Sequence, residues 1–537
     1  MKKLFTLGLL FFVFSAKAQT TFTKEDSLRG SITPERAWWD LKHYKLEVKI
    51  DPKEKFISGQ NTISYQVLEE KKTMQIDLQP PMQILSVSQT GNTLRFEKIS
   101  ANVYHVFFDI APAKGSVQSI LVKFSGKPQE AKRAPWDGGF SWSEDSEGKP
   151  FVATSCQGLG ASIWWPCKDH MYDEPDSMRI KVTTPDSLWD ISNGKLVQMC
   201  INVDGTRTTE WEVKNPINNY GVNVNVGNYV HFSEIYKGEK GPLSMDYYVL
   251  PEDFEKAKVQ FKDANRMMQA FEHWFGPYPF YEDGYKLVQV PYLGMEHQSS
   301  VTYGNKFKNG YLGRDLSGTG WGSKWDFIIV HESGHEWFAN NITYKDIADM
   351  WIHESFTNYS ETLFTEYHYG KKAGQDYVIG TRANIKNDKP IIGSYDVNHS
   401  GSSDMYYKGG NMIHTIRQIV NDDEKFRGIL RGMNETFYHQ TVTTAQIENY
   451  ISEKTGIDLS KVFDQYLRNT KVPVLAITKK KGTISYCWKD VVPGFKMPVK
   501  VQIDGKEQFL IPTEATKTIK GKELSVDRNF YIKTTGL

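Results

Sequence analysis

Five consecutive residues, His331-Glu332-Ser333-Gly334-His335, set two imidazoles four positions apart with a carboxylate beside the first. On a helix, residues four apart share a face, so both rings reach one metal ion while Glu332 lies beside its bound water. Neutral imidazole suits Zn²⁺, and a catalytic zinc takes three protein ligands and leaves its fourth position to water. One more donor is required. Eighteen residues separate His335 from Glu354, in the segment Trp351-Ile352-His353-Glu354-Ser355-Phe356 at the start of a second expected helix. That interval allows a loop and an antiparallel return, which sets Glu354 over the histidine pair. His353 is the competing donor and is read as a surface residue or one packed behind the ligands. Glu361 follows Glu354 by seven residues and shares its helix face, as does Asn358. Glu361 is read either as a hydrogen-bond acceptor for His331 or His335 or as a solvated helix carboxylate. The chemistry of such a set is hydrolysis, with zinc lowering the pKa of a water toward ~7 and Glu332 taking its proton.

With this spacing His331, His335 and Glu354 resemble the zinc ligands of the aminopeptidase N type of metallopeptidases, the gluzincin group that includes the bifunctional leukotriene hydrolases. Three further segments fall in that family's order. Gly294-Met295-Glu296-His297 is similar to its Gly-x-Met-Glu-Asn exopeptidase motif, with His297 where the motif has Asn. Tyr406-Tyr407-Lys408-Gly409 resembles its Tyr-x-Lys-Gly element. Thr154-Ser155-Cys156-Gln157, followed by Pro166-Cys167, resembles its substrate-side segment. The resemblance runs from about Leu41 to Pro473.

What the resemblance implies is a zinc aminopeptidase with one zinc per chain, acting on peptides with free N-termini. Tyr406, rather than Tyr407, is then the donor to the oxyanion. Glu296, with Gly294 and Met295 beside it, pairs with the free α-ammonium so that only the first peptide bond reaches the metal. Gln157 becomes its neutral helper. Without the resemblance, Glu296 reads as a surface carboxylate and Gln157 as a turn residue. Two other readings stand beside this one. A thermolysin-like endopeptidase uses the same triad in a cleft open at both ends, and a peptide-binding protein with an inactive zinc site uses the cleft alone.

The elements that must position these groups divide the 537 residues into several domains. From about Trp38 to Phe232 the pattern is period-two alternation, as in Tyr44, Leu46, Val48 and Ile50 against Lys45, Glu47 and Lys49, and short runs recur at Ile120 to Phe124, Arg179 to Thr183 and Val222 to Val230. This predicts an all-β domain over 19–245. Helix-length segments follow: a stripe of Phe254, Phe261, Met268, Phe271 and Phe275 ending at Gly276-Pro277, then Asp326 to Phe338, Ile352 to Tyr369 and Met412 to Asn421. They predict a mainly helical, thermolysin-like catalytic domain over 246–470. After Val472-Pro473, Val499, Val501 and Ile503 alternate, Asp504-Gly505 marks a hairpin, and Phe509 and Ile511 return, giving a small C-terminal β-sandwich domain over 471–537. The run Lys479 to Lys481 reads as an exposed turn.

Composition narrows the partners. With 65 basic and 64 acidic residues the chain has no global field to attract nucleic acid or an anionic membrane. Met1 to Ala18 joins Lys2 and Lys3 to an apolar stretch, Leu4 to Phe14, and a small-x-small end, the layout of a cleavable export signal, so the mature chain is expected to begin near Gln19 and to be periplasmic or secreted. No later segment has ~18 consecutive apolar residues, and no membrane span is expected in the mature protein. Cys156, Cys167, Cys200 and Cys487 read as buried thiols, with a Cys156 to Cys167 bridge as the alternative.

Overall fold

The structure is a computed structural model that describes residues 21–536, so the export-signal reading of 1–18 lies outside the described residues. Two short helices that alternation did not predict, Lys24–Gly30 and Pro34–Ala37, precede the β domain; the first is closed by a capping box on Thr23. The alternating stretch then forms the strand Trp39–Asp51, which buries Tyr44, Leu46, Val48 and Ile50. It lies at the middle of a ten-stranded sheet, parallel to Ser177–Pro185 and antiparallel to Phe56–Val67. A second, four-stranded sheet contains Pro150–Ser155, whose end delivers Gln157 to the face shared with the catalytic segment.

Val222 to Val230 is not one strand. Val224–Gly227 belongs to the four-stranded sheet, and Val230–Gly238 begins another sheet after a break. The hairpin Val230–Gly238/Gly241–Val249 joins a five-stranded sheet by parallel pairing of Met245–Tyr248 with Tyr285–Val288. The expected boundary at residue 245 therefore falls inside the strand Gly241–Val249. Periodicity could not reveal this, because a strand has the same period in either sheet. The same five-stranded sheet carries Gly294–Met295 at its edge, and Val288, Val290, Tyr292 and Met295 pack into the core of the β domain. The catalytic and β domains are thus joined by buried apolar contacts directly beside Glu296.

The aromatic stripe is two helices, Phe254–Gln260 and Lys262–Phe275, that meet at Phe261 and end at Gly276. The helices Trp351–Tyr369 and Tyr407–Val420 pack on each other and on Lys371–Gly380. The C-terminal strands form a four-stranded and a three-stranded sheet whose apolar residues share one core with the catalytic helices. Asp504-Gly505 makes the expected turn, yet the returning strand Lys506–Leu510 buries Leu510 and leaves Phe509 and Ile511 exposed, a one-residue difference that exchanges the faces. Near the chain's end, Asn529 Oδ1 lies 3.2 Å from His414 Nε2, and the Tyr531 backbone N–H donates to Thr415 Oγ1 at 3.0 Å. These contacts brace the helix that follows Tyr406. All four cysteines are free; Cys200 is exposed, correcting the buried-thiol reading there, and Cys156 and Cys167 are buried without bridging. Among the described residues no helix is long and apolar enough to cross a membrane.

Candidate metal centre and substrate cleft

His331 and Glu332 stand on the helix Phe327–Gly334, which is buried on every side. Its N-cap Asp326 accepts from the Ile328 and Ile329 backbone N–H groups at 3.0 and 3.3 Å. The helix ends four residues short of the expected Phe338, because Phe338 and Ala339 leave helical geometry. This break has a use. It returns the Phe338 carbonyl to within 3.0 Å of His335 Nδ1, which donates to it and leaves Nε2 free.

The other ring is oriented by a different partner. His331 Nδ1 lies 2.8 Å from Glu361 Oε1, and burial pushes the imidazole down to about 4, so the neutral ring donates through Nδ1 and offers the Nε2 lone pair. Both Nε2 atoms converge on Glu354, in the first turn of Trp351–Tyr369. Glu354 Oε2 is 3.5 Å from His335 Nε2 and 3.9 Å from His331 Nε2, and it has no hydrogen-bond partner although the residue is only 2 % exposed. Separations of this size are comparable to those between ligands held at ~2.0–2.2 Å from one ion. Four buried carboxylates, Glu296, Glu332, Glu354 and Glu361, gather here, and among the described residues none is paired with a lysine or arginine. Burial and mutual repulsion raise Glu332 well above the usual carboxylate range and raise Glu354 as well. A bound dication reverses that penalty. Donor chemistry, the unpartnered oxygen and the uncompensated charge all fit Zn²⁺ held by His331, His335 and Glu354.

Glu361 is fully buried, so it is not a solvated helix carboxylate. Besides the His331 bond it accepts from Tyr377 OH at 2.7 Å and Asn358 Nδ2 at 3.1 Å. His353 is equally buried, correcting its surface reading. Its Nε2 accepts from the Tyr344 backbone N–H at 3.0 Å and its ring lies on Tyr344, which removes it as a ligand. His297 is buried beside Thr302, outside the cleft wall.

Glu296 follows the edge strand Gly294–Met295. A Cβ on Gly294 would stand 2.5 Å from Ile328 Cγ2 and 3.3 Å from Glu332 Cγ, so only glycine lets this strand lie against the metal-binding helix. Met295 is buried in the same wall. Glu296 Oε1 accepts from Gln157 Nε2 at 2.6 Å and from Tyr220 OH at 3.0 Å, so two elements of the β domain aim a carboxylate of the catalytic domain. Tyr220 carries no sequence signal. A carboxylate oxygen of Glu296, one of Glu332 and a ring nitrogen of His335 lie within 4.8 Å of one another, so the carboxylate that Tyr220 holds shares one small volume with them.

Tyr406 precedes the helix Tyr407–Val420, which begins five residues before its expected start. Its ring stacks on His331 with centroids 6.0 Å apart, and its hydroxyl faces Glu354; burial and that charge hold the phenol protonated. A Cβ on Gly409 would meet Ser355 Oγ at 1.9 Å, so this glycine seats the helix on the one that carries Glu354, while Lys408 Nζ ties it to the Asn469 carbonyl at 2.7 Å. The groups open onto a cavity of about 520 Å³, whose apolar wall includes Trp136, Tyr311, Leu316 and Phe327.

Two family models match this chain: the peptidase M1 N-terminal domain over residues 41–220 and the peptidase family M1 domain over residues 259–466. The chain belongs to peptidase family M1. The first M1 segment contributes Gln157 and Tyr220, and the second contributes Glu296, the candidate metal ligands and Tyr406. The chain is similar to a probable aminopeptidase 1 of Sulfurisphaera tokodaii, 20% identical over 73% of this chain and 51% of that protein. It is also similar to the leukotriene A-4 hydrolase of Xenopus laevis, 22% identical over 80% of this chain and 71% of that one. An M1 zinc metallopeptidase of Deinococcus radiodurans shares the fold, with TM-score 0.67 and 20% identity, covering 81% of this chain and 96% of that one. This chain spans about half the length of the aminopeptidase relatives it matches first. Zinc is the metal of this family, and the residues here whose geometry fits it are His331, His335 and Glu354.

Proposed function

We propose that this M1 member is an aminopeptidase that removes single residues from the free N-termini of peptides. The observation that carries the reading is the position of Glu296, buried, aimed by Gln157 and Tyr220, and sharing a volume with Glu332 and His335. An α-ammonium paired with Glu296 leaves only the first peptide bond beside the metal site. Zinc, when bound, acidifies a water and polarises the scissile carbonyl. Glu332 takes a proton on its carboxylate from the attacking water and gives it to the departing amine. Tyr406 OH donates to the oxygen on which charge develops, an interaction typically worth ~3 kcal/mol.

The test compares kcat/KM for free and N-acetylated forms of one peptide, with aminoacyl-arylamides alongside. Efficient cleavage of the acetylated form would instead favour the thermolysin-like endopeptidase, and no turnover by the zinc-loaded chain would favour peptide binding alone. Export is part of the same proposal and is supported by Lys2, Lys3 and the apolar run that follows. N-terminal sequencing of the chain from the medium or periplasm checks it, and a retained Met1 would count against cleavage.

A further inference from the structure

The charges lining the cleft are unevenly distributed. Glu296, Glu332 and Glu354 stand at the metal, whereas the only lysine or arginine on the wall, among the described residues, is Lys386. Its ammonium has no carboxylate partner among them and donates to Ser403 Oγ at 3.2 Å. Lys386 is exposed, yet its backbone is fixed. Asp404, 1 % exposed, accepts from the Lys386 N–H at 2.8 Å and from the Asn387 N–H, and it sits in the turn Ser403–Met405 that runs directly into Tyr406. Glu296 neighbours Glu332 and His335, Tyr406 neighbours His331 and Glu354, and Lys386 is clamped to the turn before Tyr406. Lys386 thus lines the same cavity as Glu296, Glu332 and Glu354, with its backbone fixed to the turn that precedes Tyr406.

A free peptide carries the complementary pattern, an ammonium first and a carboxylate last. We propose that Lys386, with Ser403 beside it, binds the free C-terminal carboxylate of a short peptide, so that peptides of a few residues are favoured over long chains. An extended chain advances ~3.3–3.6 Å per residue, so only a narrow range of lengths brings the carboxylate to Lys386 while Glu296 holds the amine. The flexible lysine stem tolerates small differences within that range. This inference rests on the aminopeptidase reading and names the substrate class of the same cleft.

The experiment uses the zinc-loaded full chain and a series of peptides with leucine first and one to six alanines after it, each as the free acid and as the C-terminal amide. Amidation removes the charge and little else. The wild type is expected to favour the acid at its best length by roughly threefold to tenfold in kcat/KM, mostly through KM, and less so at high salt. Lys386→Met should bring the acid-to-amide ratio close to one, and Lys386→Arg should restore it. The ratio is independent of the fraction of enzyme that is folded. A wild-type ratio of one at every length, or a ratio that Lys386→Met leaves intact, overturns the proposal. Internal cleavage of N-acetylated members of the series would overturn the aminopeptidase reading instead, so the two failures are distinguishable.

Discussion

Glu361 accepts the Nδ1–H of His331 at 2.8 Å while Tyr377 and Asn358 occupy its other positions, so the carboxylate cannot turn away from the ring. A residue that touches no metal thus decides which His331 nitrogen faces it. Glu361→Gln should weaken zinc retention by about 10- to 100-fold, because an amide presents either a poorer acceptor or a competing donor to Nδ1. Zinc loss into a chelator, followed by absorbance, measures this. Equal retention in wild type and variant would reduce Glu361 to a packing role.

Glu332→Gln should keep the metal and lose turnover by ~10² or more, since the amide keeps the size but takes no proton at neutral pH. His335→Ala should lose the zinc itself. Metal content by elemental analysis separates the two, and a Glu332→Gln protein with near-normal turnover would remove Glu332 as the base.

Tyr406→Phe should lower kcat by ~10² with little change in KM, because its hydroxyl meets charge that develops only in the transition state. Equal damage from Tyr407→Phe alone would transfer the role to that neighbour.

How much of this was legible in the sequence depended on distance along the chain. The histidine pair, and Glu361 once Glu354 was placed, could be read because four-residue and seven-residue intervals are local properties of helices, while Glu354 itself was read from the 18-residue interval that allows an antiparallel return and from the family resemblance. The end of the first helix at Gly334 was not legible, since Glu336-Trp337-Phe338 have ordinary helix preferences and the break is imposed by tertiary packing. Of the two readings of His353 the surface one failed, because a residue next to Glu354 on the same helix points to another face, where Tyr344 receives it. Tyr220 was invisible: it reaches Glu296 from another domain across 76 positions, and no pattern marks one tyrosine among 28. The position of the hairpin Val230–Val249 was lost for a related reason, as partner strands are chosen by the whole sheet and not by the strand's own alternation.

Asp190 gives a stability prediction remote from the cleft. Its Oδ2 accepts from Trp211 Nε1 at 3.1 Å and Thr209 Oγ1 at 3.2 Å, its Oδ1 has no partner, and burial pushes the carboxyl up to about 8. With the unfolded value near 3.9, the folded chain holds the extra proton between those limits, so this contribution to stability is full below about pH 4 and is lost as pH rises through about 8. Asp190→Asn cannot ionise and should flatten that part of the profile. Melting temperatures from pH 5 to pH 9 check it, and parallel profiles for the two proteins would be the contrary result.

The exopeptidase assignment is tested most directly at Glu296, because its removal deletes the counter-charge for the substrate amine without touching metal, base or oxyanion donor. Glu296→Ala should cost ~2 to 5 kcal/mol in kcat/KM for peptides with a free amine, the range for breaking a buried charge-assisted pair, with zinc content unchanged. Acetylating the peptide removes the same contact from the other side. The two losses therefore cannot add: on the acetylated peptide the variant should perform nearly as the wild type does. Tyr220→Phe and Gln157→Ala should show weaker versions of this pattern, since each removes one hydrogen bond that aims the Glu296 carboxylate, a loss of about 1 kcal/mol or more. Tyr220 carries the more informative of the two tests, because it donates from full burial and its loss leaves the cleft's polar wall otherwise intact. If the Glu296→Ala and acetylation losses are additive, the carboxylate does not hold the ammonium, and the chain's preference for free N-termini must come from steric closure of the cleft behind the first residue.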